Sequence, residues 1–174
     1  MTSITKRFGV VAGSILAWSC LTGAMGYRSN FDSRILAAHN GERAVLGLPA
    51  LRWSSDLAVG ARNWSSTLAR TGQFAHSPNR QGEELLGENI WGGDPDSFTP
   101  ESMINLWVSE KREFRTGTFP TNSRTGNVRD VAHYTQMIWR STGEVGCALS
   151  RGASEEILVC RYRNPGNVIG QKVY

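Results

Sequence analysis

Two short apolar runs near the C-terminus, Val145–Ser150 and Ile157–Tyr162, set the tightest limit on this fold. Arg151-Gly152-Ala153-Ser154 supplies a turn between them, so they are expected to pair as an antiparallel hairpin. Each run carries one cysteine, Cys147 and Cys160, and their separation of thirteen residues suits neighbouring strands. The pair lacks CxxC spacing, which argues against a cysteine metal site.

Whether those thiols oxidise depends on the compartment. Residues 1–26 read as an export signal: Lys6 and Arg7 form a basic start, and Phe8 to Leu21 is an apolar run too short and glycine-punctuated to span a membrane comfortably. Small residues around Thr22 to Gly26 suit cleavage near Gly26; a retained anchor is the alternative. Cys20 raises the possibility of a lipoprotein, but Trp18 just before it fits that poorly. The mature chain, residues 27–174, then keeps only Cys147 and Cys160, and an even pair in an exported chain is expected to form a disulfide. Closing such a loop contributes roughly 3 kcal/mol in the chain-entropy model. The expected location is secreted, extracellular or periplasmic.

Removing residues 1–26 takes two basic residues and no acid from a net charge of +4. No basic stripe interleaved with aromatics remains, which excludes nucleic acid as the expected partner.

Three helices are expected. The first runs from about Asp32 to Leu46, with Phe31, Ile35, His39 and Glu42 at helical spacing and Gly47 ending it. On that apolar face His39 reads as a core histidine. The second starts after Ser54, a good N-cap, and buries Leu57, Ala61, Trp64 and Leu68 before Gly72 stops it. The third has Thr99 as cap and Pro100 in its first turn. Its stripe is Met103, Trp107, Glu110 and Phe114. A carboxylate buried alone in such a stripe is costly, so Glu110 needs a donor partner, most naturally a histidine. Gln73 to His76 and Glu88 to Trp91 read as short strands, and Phe114 to Val131 as a long surface loop. The sum is an α+β fold: a three-layer α-β-α sandwich with a small, mostly antiparallel sheet.

Four polar residues stand out as candidates for function: His76 in Phe74-Ala75-His76-Ser77, Glu88 in Gly87-Glu88-Asn89-Ile90-Trp91, Glu110 after Leu106-Trp107-Val108-Ser109, and His133 in His133-Tyr134-Thr135-Gln136-Met137-Ile138-Trp139. Two imidazoles and two carboxylates can exchange protons, bind a divalent metal, or lock each other as a buried network. With Ala38-His39-Asn40, Leu51-Arg52-Trp53, Gly146-Cys147 and Cys160-Arg161-Tyr162 followed by Pro165-Gly166-Asn167, these segments resemble the CAP superfamily of cysteine-rich secretory, antigen-5 and pathogenesis-related type-one proteins. The resemblance runs from about Phe31 to Tyr174. Ala132 and Asn164 depart from the family pattern without touching the four polar residues.

The resemblance implies a central cleft built from His76, Glu88, Glu110 and His133. Its two histidines are candidate ligands for a weak, exchangeable Zn²⁺, because two His leave half of a tetrahedral shell to water or carboxylate. Tyr134 and Gln136, which flank His133, are candidate cleft-lining residues. An extracellular small molecule, lipid or protein is the implied ligand. Lipid or sterol binding is thinly supported by a loop whose main apolar residues are Phe119 and Pro120. A hydrolase is the other alternative, but the chain has no GxSxG and no HExxH, and Ser77 and Ser109 are sequence neighbours of His76 and Glu110 rather than partners placed by a motif. Neither a catalytic residue nor an enzymatic activity follows.

Overall fold

A computed structural model describes residues 29–79 and 81–174. The expected export signal over residues 1–26, with Cys20, lies outside them.

Helix α1 is Phe31–Val45, and its buried residues Ile35, His39 and Arg43 recur every four positions along one face. Gly47, at φ +64°, turns the chain out of the helix. A two-residue strand, β1 (Arg52–Trp53), follows. Asn40 sets it in place by a two-way clamp: its Nδ2 donates to Leu51 O at 3.0 Å and its Oδ1 accepts from Leu51 N at 2.8 Å. Helix α2 is Ser55–Thr71; Ser54 caps it by accepting from Leu57 N, and Gly72 ends it at φ +67°. Strand β2 is Gly87–Gly93. Helix α3, Pro100–Val108, is capped by Thr99 and runs into a 3₁₀ turn, Ser109–Glu113. A second 3₁₀ turn, Val128–Asp130, leads into the six-residue helix α4, Ala132–Met137. Strands β3 (Glu144–Arg151) and β4 (Glu156–Arg163) form the expected hairpin.

The sheet order is β1-β3-β4-β2. Pairing is antiparallel except between β1 and β3. Period-two alternation gives the sheet two apolar faces. Val145, Cys147, Leu158, Cys160 and Tyr162 join the larger core with α1, α3 and α4. Ala148, Ile157, Val159 and Ile90 join a smaller core with Ala61 and Leu68 of α2. The α+β three-layer sandwich is therefore the observed architecture. Cys147 stands directly opposite Cys160 in the hairpin register, and the two form the disulfide.

Two expectations change. Gln73 to His76 form no strand; this exposed stretch loops outside the sheet edge. Its alternation is too short to compete with a partnerless edge position. The segment from Phe114 to Val131 is not simply a surface loop: Phe114, Phe119, Asn122, Ser123 and Val131 are buried. Its apolar residues lack a period because each anchors a separate turn, Phe114 against Tyr134 and Phe119 against Trp139. Strand β1 is an addition that no sequence pattern marks.

His39 is fully buried, as its place on the stripe implied. Its Nδ1–H donates to Ile35 O at 2.8 Å, and its Nε2 accepts from the Tyr162 hydroxyl at 2.9 Å. Burial, reinforced by neighbouring Arg43, lowers its pKa from 6.5 to about 4. The unfolded chain takes up this proton near pH 6.5 and the folded chain only near 4, so stability falls as pH drops through that window. The expected loss by pH 4 is about 3 kcal/mol. Carboxylates contribute to acid unfolding too, so the readout is a difference: urea midpoints of His39→Gln, which keeps a donor and an acceptor, should fall less steeply between pH 6.5 and 4. Parallel pH profiles for the two proteins would refute this.

Candidate functional site: two histidine–glutamate pairs

Glu110 lies just past the end of α3, in the 3₁₀ turn, and it has the histidine partner its position demanded. His133 Nδ1–H donates to Glu110 Oε1 at 2.6 Å, and the Tyr134 amide donates to Oε2 at 3.0 Å. The His133 ring lies flat against Trp107, with centroids 5.8 Å apart and planes 10° off parallel. Both halves of this pair are partly buried.

The second pair joins the irregular 73–79 segment to β2. His76 Nδ1–H donates to Glu88 Oε1 at 2.9 Å, and the Ser77 amide donates to the same oxygen at 2.9 Å. The histidine is 67% exposed, whereas the glutamate side chain is only 7% exposed. Burial pushes the Glu88 carboxyl up, but the hydrogen bonds from His76 and Ser77 outweigh it and hold its pKa below the usual carboxylate value. The bond to Glu88 in turn raises the His76 pKa above the ordinary imidazole value, against a smaller lowering by burial.

Asn89 links the two pairs. It follows Glu88 in β2, so its side chain leaves the opposite face of the sheet. There its Nδ2 donates to His133 O at 3.0 Å and to the Tyr162 hydroxyl at 3.3 Å. All four residues therefore sit around the free edge of β2, as two separate pairs. Among the described residues, no three His, Cys, Asp or Glu side chains converge to hold a metal ion.

The neighbours of His133 do not line a cleft. Tyr134 is 1% and Gln136 2% exposed. The Tyr134 hydroxyl donates to Glu42 Oε1 at 2.7 Å. Gln136 Oε1 accepts from Gly166 N at 2.9 Å and occupies the space a Cβ on Gly87 would need. The Ser109 hydroxyl donates to Leu106 O at 2.6 Å. One contributor escaped the sequence: Arg161, whose Nε lies 3.6 Å from Glu88 Oε2. The strand register that places Arg161 opposite Glu88 was its only available signal.

The model of the cysteine-rich secretory protein (CAP) family matches residues 36–162. This chain belongs to the CAP family. The CAP chain is 34% identical over 161 residues to pathogenesis-related protein 1C of Nicotiana tabacum, covering 92% of this chain and 87% of the relative. Pathogenesis-related protein 1 of Arabidopsis thaliana is 35% identical over 138 residues, covering 79% and 78%. In three dimensions it resembles the crystal structure of NaASP2 with Zn²⁺, at TM-score 0.69 and 22% identity over 83% of this chain and 85% of the other. The crystal structure of the hookworm platelet inhibitor gives TM-score 0.64 at 20% identity, covering 83% and 75%. At these identities the structural likenesses establish the fold. Among the described residues, no helix is long and apolar enough to cross a membrane.

Proposed function

We propose that this CAP protein is an exported binding module whose His76 and His133 take a divalent cation, Zn²⁺ foremost, as an exchangeable centre for an extracellular ligand. One observation carries the reading: both histidines turn Nδ1 toward a glutamate. A carboxylate on one ring nitrogen fixes the tautomer that leaves the other nitrogen as a lone-pair donor, the arrangement found behind metal-bound histidines. Neither Nε2 has a hydrogen bond among the described residues. The fit is to a weak site. Two imidazoles would supply half of a tetrahedral shell, and among the described residues no group of three His, Cys, Asp or Glu is placed to complete one. The remaining positions fall to water or to the ligand's own donors, where the cation would supply Lewis acidity. A related fold crystallised with Zn²⁺ is consistent with this reading. Export rests on the family's secretory character and on the N-terminal signal pattern.

Imidazole binds metal only when neutral, so protons compete with the cation. Because the His76 pKa is raised above the ordinary imidazole value of 6.5, affinity should already be falling as the pH drops to 6.5 and should weaken further below it. Calorimetric titration of Zn²⁺ at pH 7.5 should give binding for the wild type and none for His76→Ala/His133→Ala. Equal heats from both proteins, or no heat from either, would end the metal reading.

A further inference from the structure

The chain after α3 folds back on itself through one antiparallel bridge, Phe114 with Ser123. Arg115 N donates to Asn122 O and Arg124 N to Glu113 O, each at 2.7 Å. Arg115 and Arg124 are therefore diagonal neighbours across the bridge, with backbones roughly 7–8 Å apart. Both exposed side chains are tied at the stem: Arg115 Nε donates to Thr121 O at 3.0 Å, and Arg124 Nε to Phe114 O at 3.1 Å. Their Nη groups make no hydrogen bond among the described residues, and no carboxylate reaches either fork as an ion pair. Arg34, Arg151 and Arg163, by contrast, are each matched by an acid: Glu101, Asp96, and Glu84 with Glu144.

The two arginines line one open hollow of about 350 Å³, together with Lys111, Leu46, Thr116 and Tyr174. Phe114 and Tyr134 lie buried beneath it, so Leu46 and Tyr174, both half-buried, supply its accessible apolar surface. The charges around it do not balance. Lys111 is matched by Glu42 Oε1 at 2.8 Å, an oxygen that also accepts from the Tyr134 hydroxyl. Glu113, opposite Arg124 on the bridge, lines a neighbouring hollow and lies 3.7 Å from Arg112 Nε. Even with a terminal carboxylate on Tyr174 counted beside Glu42, the three cations are in excess.

We propose that this hollow binds an acidic saccharide, a chain of sugar rings bearing carboxylate or sulfate groups. A guanidinium fork only donates, and a carboxylate or sulfate offers the paired acceptors that fit it. Anchoring each Nε to a backbone carbonyl means that little side-chain freedom is left to lose when the fork is engaged. The hollow is too open to enclose a small anion, so affinity has to come from acid groups repeated along one chain, with each fork taking one. A sugar ring adds an apolar face to lie against Tyr174 and Leu46. A neutral sugar would leave both forks without a counter-charge. A single-stranded nucleic acid would need a row of exposed aromatics for its bases, and the hollow offers one tyrosine. A lipid surface would need apolar side chains that project from the rim, whereas Leu46 and Tyr174 lie half-buried in the wall. The site uses neither histidine, so it stands independently of the cation reading.

The test is titration of tetragalacturonate and of a heparin-derived tetrasaccharide into the full chain with EDTA present, following backbone amide signals by NMR. At least one of them should shift the Arg115, Thr116 and Arg124 signals at millimolar concentration, and cellotetraose, which is neutral, should not. Adding salt should weaken the effect, since exposed charges are screened. Arg115→Gln/Arg124→Gln, which keeps a donor for each carbonyl, should weaken binding about tenfold. Arg62→Gln/Arg70→Gln removes the same net charge from α2 and should stay within about twofold of the wild type. Mapping on the wild type needs no variant to fold. The proposal is overturned if neither acidic tetrasaccharide moves those three signals, if cellotetraose moves them equally, or if Arg115→Gln/Arg124→Gln binds as well as the wild type. A response only to phosphatidylglycerol vesicles, or only to oligothymidylate, overturns it too.

Discussion

Gly146→Ala should unfold or severely destabilise this domain, although the substitution adds one methyl group to a strand. Gly146 sits in β3 on the face that receives α2. A Cβ there would fall inside contact distance of both the Ala58 amide nitrogen and the Ser54 carbonyl oxygen, and 2.7 Å from the Leu57 Cβ. The first two are backbone atoms of the opening turn of α2, joined to each other by a 3.0 Å hydrogen bond. No rotamer change relieves such a clash. Ser54 N also donates to Val145 O at 2.9 Å, so the turn is fastened to the strand it would have to leave. Overpacking a relaxed core costs about 1–3 kcal/mol, and a clash with fixed backbone should reach or exceed the top of that range. Gly41 provides the contrast, because nothing lies within 4 Å of its would-be Cβ and it sits inside α1. Gly41→Ala should therefore stabilise, by about 0.5–1 kcal/mol. Urea unfolding followed by circular dichroism measures both. A Gly146→Ala midpoint close to the wild type would show that α2 can lift from the sheet at little cost.

That contact also marks what the sequence made legible. The helical stripes and their caps located α1, α2 and α3 because those signals are local: Ser54 and Thr99 cap as their types predict. The hairpin was legible too, and its register puts Cys147 opposite Cys160. Glu110 was readable as a residue in need of a donor, since a carboxylate on an apolar stripe must find a hydrogen-bonding partner or lose its charge. The pairing of His76 with Glu88 had no such local sign. It depends on how residues 73–79 lie against β2, and only the family resemblance pointed to it. Helix α4 and strand β1 were invisible for a related reason. Both are too short to be stable alone and are held from a distance, α4 by Glu110 on the Tyr134 amide and Asn167 on Ala132 O, β1 by the Asn40 clamp. Arg161 could be read as a motif residue but not as a neighbour of Glu88, because that contact exists only once β4 lies beside β2.

Arg43 is where distant support is most concentrated, and its replacement should rank with Gly146→Ala. The side chain is fully buried on α1. Its Nε donates to Pro49 O at 2.7 Å, Nη1 to Met137 O and Trp139 O at 2.9 Å each, and Nη2 to Thr142 O at 3.1 Å. Burial lowers its pKa from 12.5 to about 10, so it remains charged at neutral pH. No carboxylate pairs with it among the described residues; four carbonyl dipoles solvate the charge instead. They come from the loop after α1, from the last residue of α4 and from the chain that links α4 to β3. Arg43 thus closes the end of the larger core, where a carbonyl without a donor would have no water to turn to. Arg43→Met keeps most of the volume and removes the desolvation cost of the charge, but takes the side-chain donor from all four carbonyls, of which only Trp139 O keeps another, the Thr142 amide at 3.2 Å. Each charged hydrogen bond contributes about 1.5–3 kcal/mol, and part of that is offset by the charge no longer being buried, so the expected net loss is about 3–5 kcal/mol. Arg43→Lys separates charge from geometry. A single ammonium cannot span the positions that the guanidinium fork reaches, so lysine should recover less than half of the loss. Equilibrium urea denaturation of the three proteins decides the matter. If lysine restores full stability, charge alone suffices, and if methionine costs under about 1 kcal/mol, the four carbonyls were never dependent on Arg43.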